Sequence, residues 1–309
     1  MNSLQGRDLL TLADLAPEEL KRILAEASLL KRKIKRPNLQ GKVLGLLFQK
    51  ASTRTRVSFS AAIAQCGGTV VDLMPTVLQV SRGEPIQDTA RVLSRYLDVI
   101  AIRTFEQKEL EHFADYASVP VINALTNQFH PCQILADLLT IQESWGRLQG
   151  IQVAYCGDGN NIVHSLLLGC AMTGVSLRVA TPEGFAPDPQ IVQKAEALAQ
   201  TFASLSQIEI LTDPVVAVTG AQVVYTDVWA SMGQEEEATT RLPLFQPYQV
   251  NDELMKLADP NAIVLHCLPA HRGEEITDSV LESSQSRVWE QAENRLHVQK
   301  SLLVQVLGQ

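Results

Sequence analysis

The sequence predicts an α/β protein built from two doubly wound domains, each with a central parallel sheet flanked by helices. Three observations lead there. Short apolar runs rich in Val, Ile and Leu alternate with segments of helical periodicity along almost the whole chain. The alternation starts afresh after Gly150, and both starts carry the same tripeptide, Leu39-Gln40-Gly41 and Leu148-Gln149-Gly150. A length of 309 residues exceeds one average domain and suits two.

In the first half, Pro17-Glu18-Glu19 suits a first helical turn, and Leu20, Ile23, Leu24 and Ala27 form its apolar stripe. Val43 to Phe48 reads as a buried parallel strand, and a helix follows from about residue 54, with Phe59, Ala62, Ile63 and Cys66 on one face. Gly67-Gly68 ends that helix, and 69–73 is the next strand. Residues 74–86 lack regular pattern. A helix over 88–97, a strand over 98–102, a helix over 107–116 and a strand over 119–123 follow. Pro120 places the last of these at a strand start or a sheet edge. A well-patterned helix runs from 134 to 145 and stops at Gly146.

The second half gives strands over 151–156, 175–180, 207–211, 222–226 and 262–266. Its helices fall near 162–173, 188–203, 213–219 and 251–258. Residues 230–250 read as a long irregular segment of the kind that often serves as a functional lid. The final pattern, 288–307, is one long helix that packs back on one domain or the other.

Composition excludes several classes. A net charge of −8 argues against a general nucleic-acid binder. Five cysteines, widely spaced and without a C-x-x-C pair, form neither a zinc pattern nor a disulfide framework, and point to a reducing compartment. No apolar run approaches membrane-spanning length, and the first residues lack signal or transit character, so a cytoplasmic protein is expected.

Ligands of open α/β sheets bind beyond the carboxyl ends of the strands, so the polar residues that follow each strand are the candidates. Ser52-Thr53-Arg54-Thr55-Arg56 sits where a strand ends and a helix begins. Free N–H groups, hydroxyls and guanidiniums there make a site for a phosphate-like anion; by itself the segment also reads as an N-cap with two solvated arginines. Other strand ends carry Arg103-Thr104, His130 to Gln133, Gly157 to Asn161, Asp227 to Gly233, and Cys267-Leu268-Pro269. Singly, each has a plain alternative: Asn160-Asn161 as an Asx turn with an N-cap, Cys267 as a buried thiol, His130 at a helix start. Six such ends together favour a site. Gly157-x-Gly159 resembles a dinucleotide fingerprint, but Ile162 stands at its third glycine position, which argues against a nicotinamide dehydrogenase.

Ser-Thr-Arg-Thr-Arg at 52–56, His130-Pro131-Cys132-Gln133, Asp227-Val228-Trp229-x-Ser231-Met232-Gly233 and His266-Cys267-Leu268-Pro269 occur in this order in the carbamoyltransferases. From about residue 3 to 307 the chain resembles that superfamily, and the Ser-Met-Gly and His-Cys-Leu-Pro motifs resemble its ornithine branch. The resemblance implies a carbamoyl-phosphate domain (1–147, with the C-terminal helix 287–309 returning to it) and an ornithine domain (148–286). It implies transfer of the carbamoyl group of carbamoyl phosphate to L-ornithine, giving L-citrulline and phosphate, in arginine synthesis. Neither a cofactor nor a metal is implied, and the partners are the two substrates and further copies of the chain in a homotrimer.

Carried over residue by residue, Ser52, Thr53, Arg54, Thr55 and Arg103 hold the phosphate. His130 and Gln133 approach the carbamoyl group, Cys267 and Leu268 line the site, and Arg295 reaches in from the C-terminal helix. Gln79 matches a glutamine contributed by a neighbouring subunit. Asn161, Asp227, Ser231 and Met232 match ornithine-binding positions. On this reading Arg54, Arg103, His130 and Cys267 are the catalytic residues. The arginines offset charge on the leaving phosphate, His130 and Arg103 polarise the carbonyl, and Asp227 with a Cys267 thiolate positions the amine as it loses a proton. Thiolate character at Cys267 requires nearby positive charge. The chain departs from the pattern at Ala51, where many relatives have proline, and at 80–85, whose sequence is less typical. Rival acceptors are an acylated ornithine, putrescine or aspartate; a non-catalytic anion-binding protein would not need His130, Gln133 and Cys267.

Overall fold

A computed structural model describes residues 4–74, 83–202, 204–230 and 238–308. The chain divides into two units, Met1–Ala136 with Asn294–Gln309, and Asp137–Glu293. The C-terminal stretch therefore belongs to the first unit.

The first unit opens with α1 (Pro17–Lys31), where Pro17 occupies N1 and the Glu19 carboxylate accepts from the Ala16 N–H at 2.9 Å. Leu20, Ile23, Leu24 and Ala27 are buried, as their spacing requires. Strand β1 (Val43–Phe48) leads into α2 (Thr53–Gln65), which stops where Gly67 takes φ +86°. Then come β2 (Thr69–Leu73), α3 (Ile86–Leu93), β3 (Val99–Arg103), α4 (Gln107–Tyr116), β4 (Val121–Leu125) and α5 (Pro131–Trp145).

The four strands are parallel in the order β2-β1-β3-β4. Successive strands are added first on one side of β1 and then on the other, so the topology switches between β1 and β3. The register pairs Phe48 with Arg103, which sets the ends of those two strands side by side. β4 starts two residues later than the pattern suggests. Pro120 has no N–H for the ladder, but its carbonyl accepts from Ile100 at 2.9 Å. The outer side of β4 is covered by Leu9, which exchanges backbone hydrogen bonds with Val121 and Asn123.

The second unit contains β5 (Gln152–Cys156), α6 (Asn161–Thr173), β6 (Ser176–Ala180), α7 (Pro189–Thr201), β7 (Ile208–Leu211), α8 (Pro214–Val218) and β8 (Val223–Thr226). After these come α9 (Ala238–Phe245), a 3₁₀ turn (Gln246–Tyr248), α10 (Asp252–Met255), β9 (Ile263–His266) and α11 (Asp278–Leu281); the last helix, α12 (Val288–Val306), belongs to the first unit from Asn294 onward. α7 and α8 start alike: Asp188 and Asp213 cap them, each accepting a first-turn N–H at 2.8 Å, and proline fills N1.

This sheet is also parallel, in the order β7-β6-β5-β8-β9, and its switch lies between β5 and β8. Cys156, Thr226 and His266 share one register, so the residues just past them leave the sheet together. β8 and β9 are buried at every position, as strands covered on both faces must be.

The reading of 230–250 as wholly irregular needs correction, because 238–245 is helical despite Pro243 and two threonines. The cause is tertiary. Arg241 and Phe245, one turn apart, are both buried, and Phe245 packs on Phe185 (ring centroids 4.8 Å), Trp229 and Tyr248. That burial outweighs poor local propensity.

Candidate active site

In the first unit the nominated residues fall into an exposed set and a buried set. Ser52 caps α2, its Oγ accepting from the Thr55 N–H at 3.2 Å. Thr53 and Arg54, the first two helical residues, are exposed, and Arg54 has no ion-pair partner among the described residues. The serine is thus a cap, and the turn it caps carries the first N–H groups of α2 together with the exposed Arg54 guanidinium. Arg56 belongs elsewhere. It pairs with Asp72 of β2 and lies over the Phe48 ring.

The buried set is organised by Arg295 of α12. Its Nη1 donates to Gln133 Oε1 at 2.6 Å, its Nη2 to Thr55 Oγ1 at 2.5 Å, and Nη1 stands 3.4 Å from His130 Nε2. A guanidinium only donates, so this contact leaves the lone pair on Nε2 and the proton on Nδ1 of His130. Burial, and then the charges of Arg295 and Arg103, push the His130 pKa well below that of a free imidazole. His130 is thus neutral at pH 7. Arg103 ends β3, is 5% exposed, and together with burial lowers the pKa of Lys50, whose Nζ donates to Asn127 and lies over Phe105.

In the second unit, the end of β5 turns tightly into α6. A Cβ on Gly159 would stand 2.4 Å from the Pro187 nitrogen, so only glycine lets this turn press against the 185–187 backbone. Asn160 then caps α6, its Oδ1 accepting from Ile162 and Val163. That orientation aims its amide nitrogen at Asp227, and Nδ2 donates to Oδ2 at 2.8 Å. Asp227 follows β8 and is 6% exposed, while Cys267 follows β9 and donates from Sγ to Asp227 Oδ1 at 2.9 Å. Such a bond requires the thiol, so the expected Cys267 thiolate is not the form in this arrangement.

The turn after Cys267 is held from behind. Leu268 has φ +59°, unusual for a branched side chain, and its N–H donates to His266 Nδ1 at 2.9 Å. His266 Nε2 then donates to the buried Glu275 at 3.0 Å, and the His266 N–H reaches Gln291 Oε1 at 2.9 Å. Asp227, His266 and Cys267 bring ligand-type atoms within 4.8 Å of one another, a spacing that could hold a metal ion. Both His266 ring nitrogens are already engaged with Leu268 and Glu275, so a metal would have to displace one of those bonds.

Asn161 is the half-buried first residue of α6. Gln79, Ser231, Met232 and Gly233 lie outside the described residues. Arg241 escaped the sequence reading, and so did two contacts of the nominated 157–161 turn: Asn160 as the donor to Asp227, and the buried pair of Asp158 with Arg241 at 3.2 Å. Asn160 was visible only as a cap, and nothing in the pattern marked Arg241.

Thiol reactivity separates Cys267 from the rest. It is half-buried, whereas Cys66, Cys132, Cys156 and Cys170 are buried and free. Burial raises all four buried thiols, Cys132 and Cys156 to about 12. At pH 8 that leaves a thiolate fraction roughly a thousandfold smaller than for an ordinary thiol. Brief iodoacetamide treatment of the native protein is expected to label Cys267 first, as read by peptide mass spectrometry. Equal early labelling of Cys132 or Cys156 would contradict this burial.

The chain is similar to known proteins over its whole length. Residues 7–143 match the family model "Aspartate/ornithine carbamoyltransferase, carbamoyl-P binding domain", and 149–306 match "Aspartate/ornithine carbamoyltransferase, Asp/Orn binding domain". The chain is 62% identical over 308 residues to the ornithine carbamoyltransferase of a Nostoc species, covering 100% of this chain and 99% of that one. It is 63% identical over 307 residues to that of Thermosynechococcus vestitus, covering 99% and 98%. The solved ornithine carbamoyltransferase from Pyrococcus furiosus superposes with a TM-score of 0.95 at 52% identity, over 100% of this chain and 99% of that one. The one from Gloeobacter violaceus gives 0.88 at 55%, over 98% and 99%.

Proposed function

The chain belongs to the aspartate/ornithine carbamoyltransferase family, and we propose that it transfers the carbamoyl group of carbamoyl phosphate to the side-chain amine of L-ornithine, giving L-citrulline and phosphate. The amine nitrogen bonds to the carbonyl carbon, the bond from that carbon to the phosphate oxygen breaks, and the amine gives up one proton. Full-length relatives named ornithine carbamoyltransferase at about 60% identity support the activity.

The roles divide between the two units. The start of α2, with Ser52, Thr53 and Arg54, takes the phosphate, and Arg103 adds a second guanidinium. This positive charge offsets what develops on the leaving group. Thr55 and Gln133 are bonded to Arg295, so the three act as one preorganised group beside His130. Neutral His130 donates a hydrogen bond to the carbamoyl group and does not transfer a full proton.

In the second unit, Asp227 receives the ornithine ammonium, with Asn161, Ser231 and Met232 completing its site. Proton loss from that ammonium makes the nucleophile, and Asp227 with Cys267 orients it. Proximity of the two bound substrates then suffices for direct transfer, without a covalent enzyme intermediate. The observation that carries the acceptor assignment is the Asp227–Cys267 pair, since a buried carboxylate suits an ammonium and repels the second carboxylate of aspartate.

The finer reading is an enzyme of arginine synthesis in the cytoplasm, working as a homotrimer whose sites include a neighbour's Gln79. Five free cysteines support a reducing compartment, and no helix of the described residues is long and apolar enough to cross a membrane.

Citrulline-type product formation, measured with L-ornithine, N-acetylornithine, putrescine and aspartate, tests the acceptor. L-ornithine is expected to exceed each of the others by at least about a hundredfold in kcat/KM. Preference for any other amine overturns the assignment. Sedimentation equilibrium tests the assembly, with three chain masses expected.

A further inference from the structure

Arg241 is 8% exposed, and a guanidinium is retained at such depth only when its donors are matched. Here Nη1 donates to Asp158 Oδ2 at 3.2 Å and to the Trp229 carbonyl at 3.0 Å, while the guanidinium lies over the Phe185 ring at 5.0 Å. Asp158 belongs to the turn between β5 and α6, two residues before Asn160. Trp229 stands two residues after Asp227. One side chain therefore joins the two turns that converge through the Asn160–Asp227 hydrogen bond.

We propose that Arg241 is a positioning residue for the amine site, fixing the separation of the Asn160–Asn161 turn from Asp227 without touching the substrate itself. The proposal rests on the ornithine reading given above and extends it to a residue on α9. Three further observations support it. Gly159 admits no side chain, and its N–H donates to the Phe185 carbonyl at 2.9 Å, so the β5–α6 turn is clamped from its other side as well. Arg241 and Phe245 share the buried face of α9, which anchors the guanidinium through the Phe185–Phe245 ring contact.

The charges around Asp158 also require Arg241. Burial raises the Asp158 carboxyl and the Asp227 charge raises it too; Arg241, by charge and hydrogen bond, and the Gly159 N–H oppose them, and the balance lies at about 6. Tyr155 of β5 faces the same carboxylates, and burial and their charges push its own pKa far up, so it stays a neutral phenol and adds no charge there. Loss of Arg241 would leave Asp158 to take up a proton and release its turn.

Steady-state kinetics of Arg241→Met, Arg241→Lys, Asp158→Asn and the double variant Arg241→Met/Asp158→Asn test this. Arg241→Met is expected to raise the KM for ornithine about tenfold to a hundredfold, with the KM for carbamoyl phosphate within about twofold. Asp158→Asn is expected to act in the same direction. Arg241→Lys keeps the charge but loses the planar fork, and is expected to recover part of the loss. Since the two residues act as one unit, adding Arg241→Met to Asp158→Asn is expected to change the ornithine KM by less than about threefold. The inference is overturned if both KM values rise together, if kcat alone falls, or if the two substitutions multiply. Should Arg241→Met fail to fold, Arg241→Lys and Asp158→Asn carry the same comparison. If the parent enzyme instead prefers another amine, the ornithine reading fails, and the same four variants measured with that amine still decide the role of Arg241.

Discussion

Arg54→Ala is expected to lower kcat/KM for carbamoyl phosphate by about a hundredfold to a thousandfold, the size of effect seen when one preorganised donor to a developing anion is removed. Several features point to this residue over its neighbours. Arg56 is committed to Asp72 and Phe48, and Arg295 to Gln133 and Thr55. Arg54 is exposed at the second position of α2, with no ion-pair partner among the described residues, so its charge remains available for a ligand. A surface side chain without partners contributes little to folding, and the melting temperature is expected to stay within about 1–2 °C of the parent. Arg54→Lys is expected to recover only part of the activity, because an ammonium cannot make the two parallel hydrogen bonds that a guanidinium makes to phosphate. An Arg54→Ala enzyme with unchanged carbamoyl-phosphate saturation would sink the phosphate assignment.

The second large effect is expected at Asp227. Asp227→Asn keeps the shape but loses the charge and one acceptor. The parent carboxylate accepts from both sides, from Asn160 Nδ2 and from Cys267 Sγ. An amide in its place must turn a donor toward one of them, leaving two buried donors face to face. Loss of a buried charged partner costs roughly 3 kcal/mol, or about a hundredfold. The loss is expected in kcat/KM for ornithine, with carbamoyl-phosphate KM nearly unchanged, read from initial rates at varied concentrations of each substrate. If instead carbamoyl-phosphate KM rises and ornithine saturation holds, Asp227 is not the ammonium site. Unlike Arg54, Asp227 is buried and hydrogen-bonded, so this variant is also expected to melt several degrees lower.

Much of this molecule was legible because its signals are local and strong. The nine strands of the described residues announce themselves as short Val- and Leu-rich runs, and several helices begin with proline, as at Pro17, Pro189 and Pro214. Boundaries moved by one to four residues where a local rule competed with a tertiary contact, as at Pro120 and at Pro131, where α5 starts three residues early. The helix over 238–245 was missed for a clearer reason. Its sequence, with two threonines and a proline, has poor helical propensity, and what stabilises it is burial of Arg241 and Phe245 against rings far away in the chain.

By itself, the sequence determined the order of elements, the parallel α/β class, the family, and which polar residues stand at strand ends. Position at a strand end follows from chain order and the period of apolar residues, both of which are linear properties. Only the tertiary structure decided which of those residues meet. Strand order is not sequence order: β3 pairs with β1 and β8 with β5, which brings Arg103 beside Phe48 and Asp227 beside the turn that carries Asn160. The proton on Cys267, the neutrality of His130 and the tie from Arg241 to Asp158 depend on charges and burial supplied by distant segments. Burial and charge act through distances in space, and the linear sequence does not contain those distances.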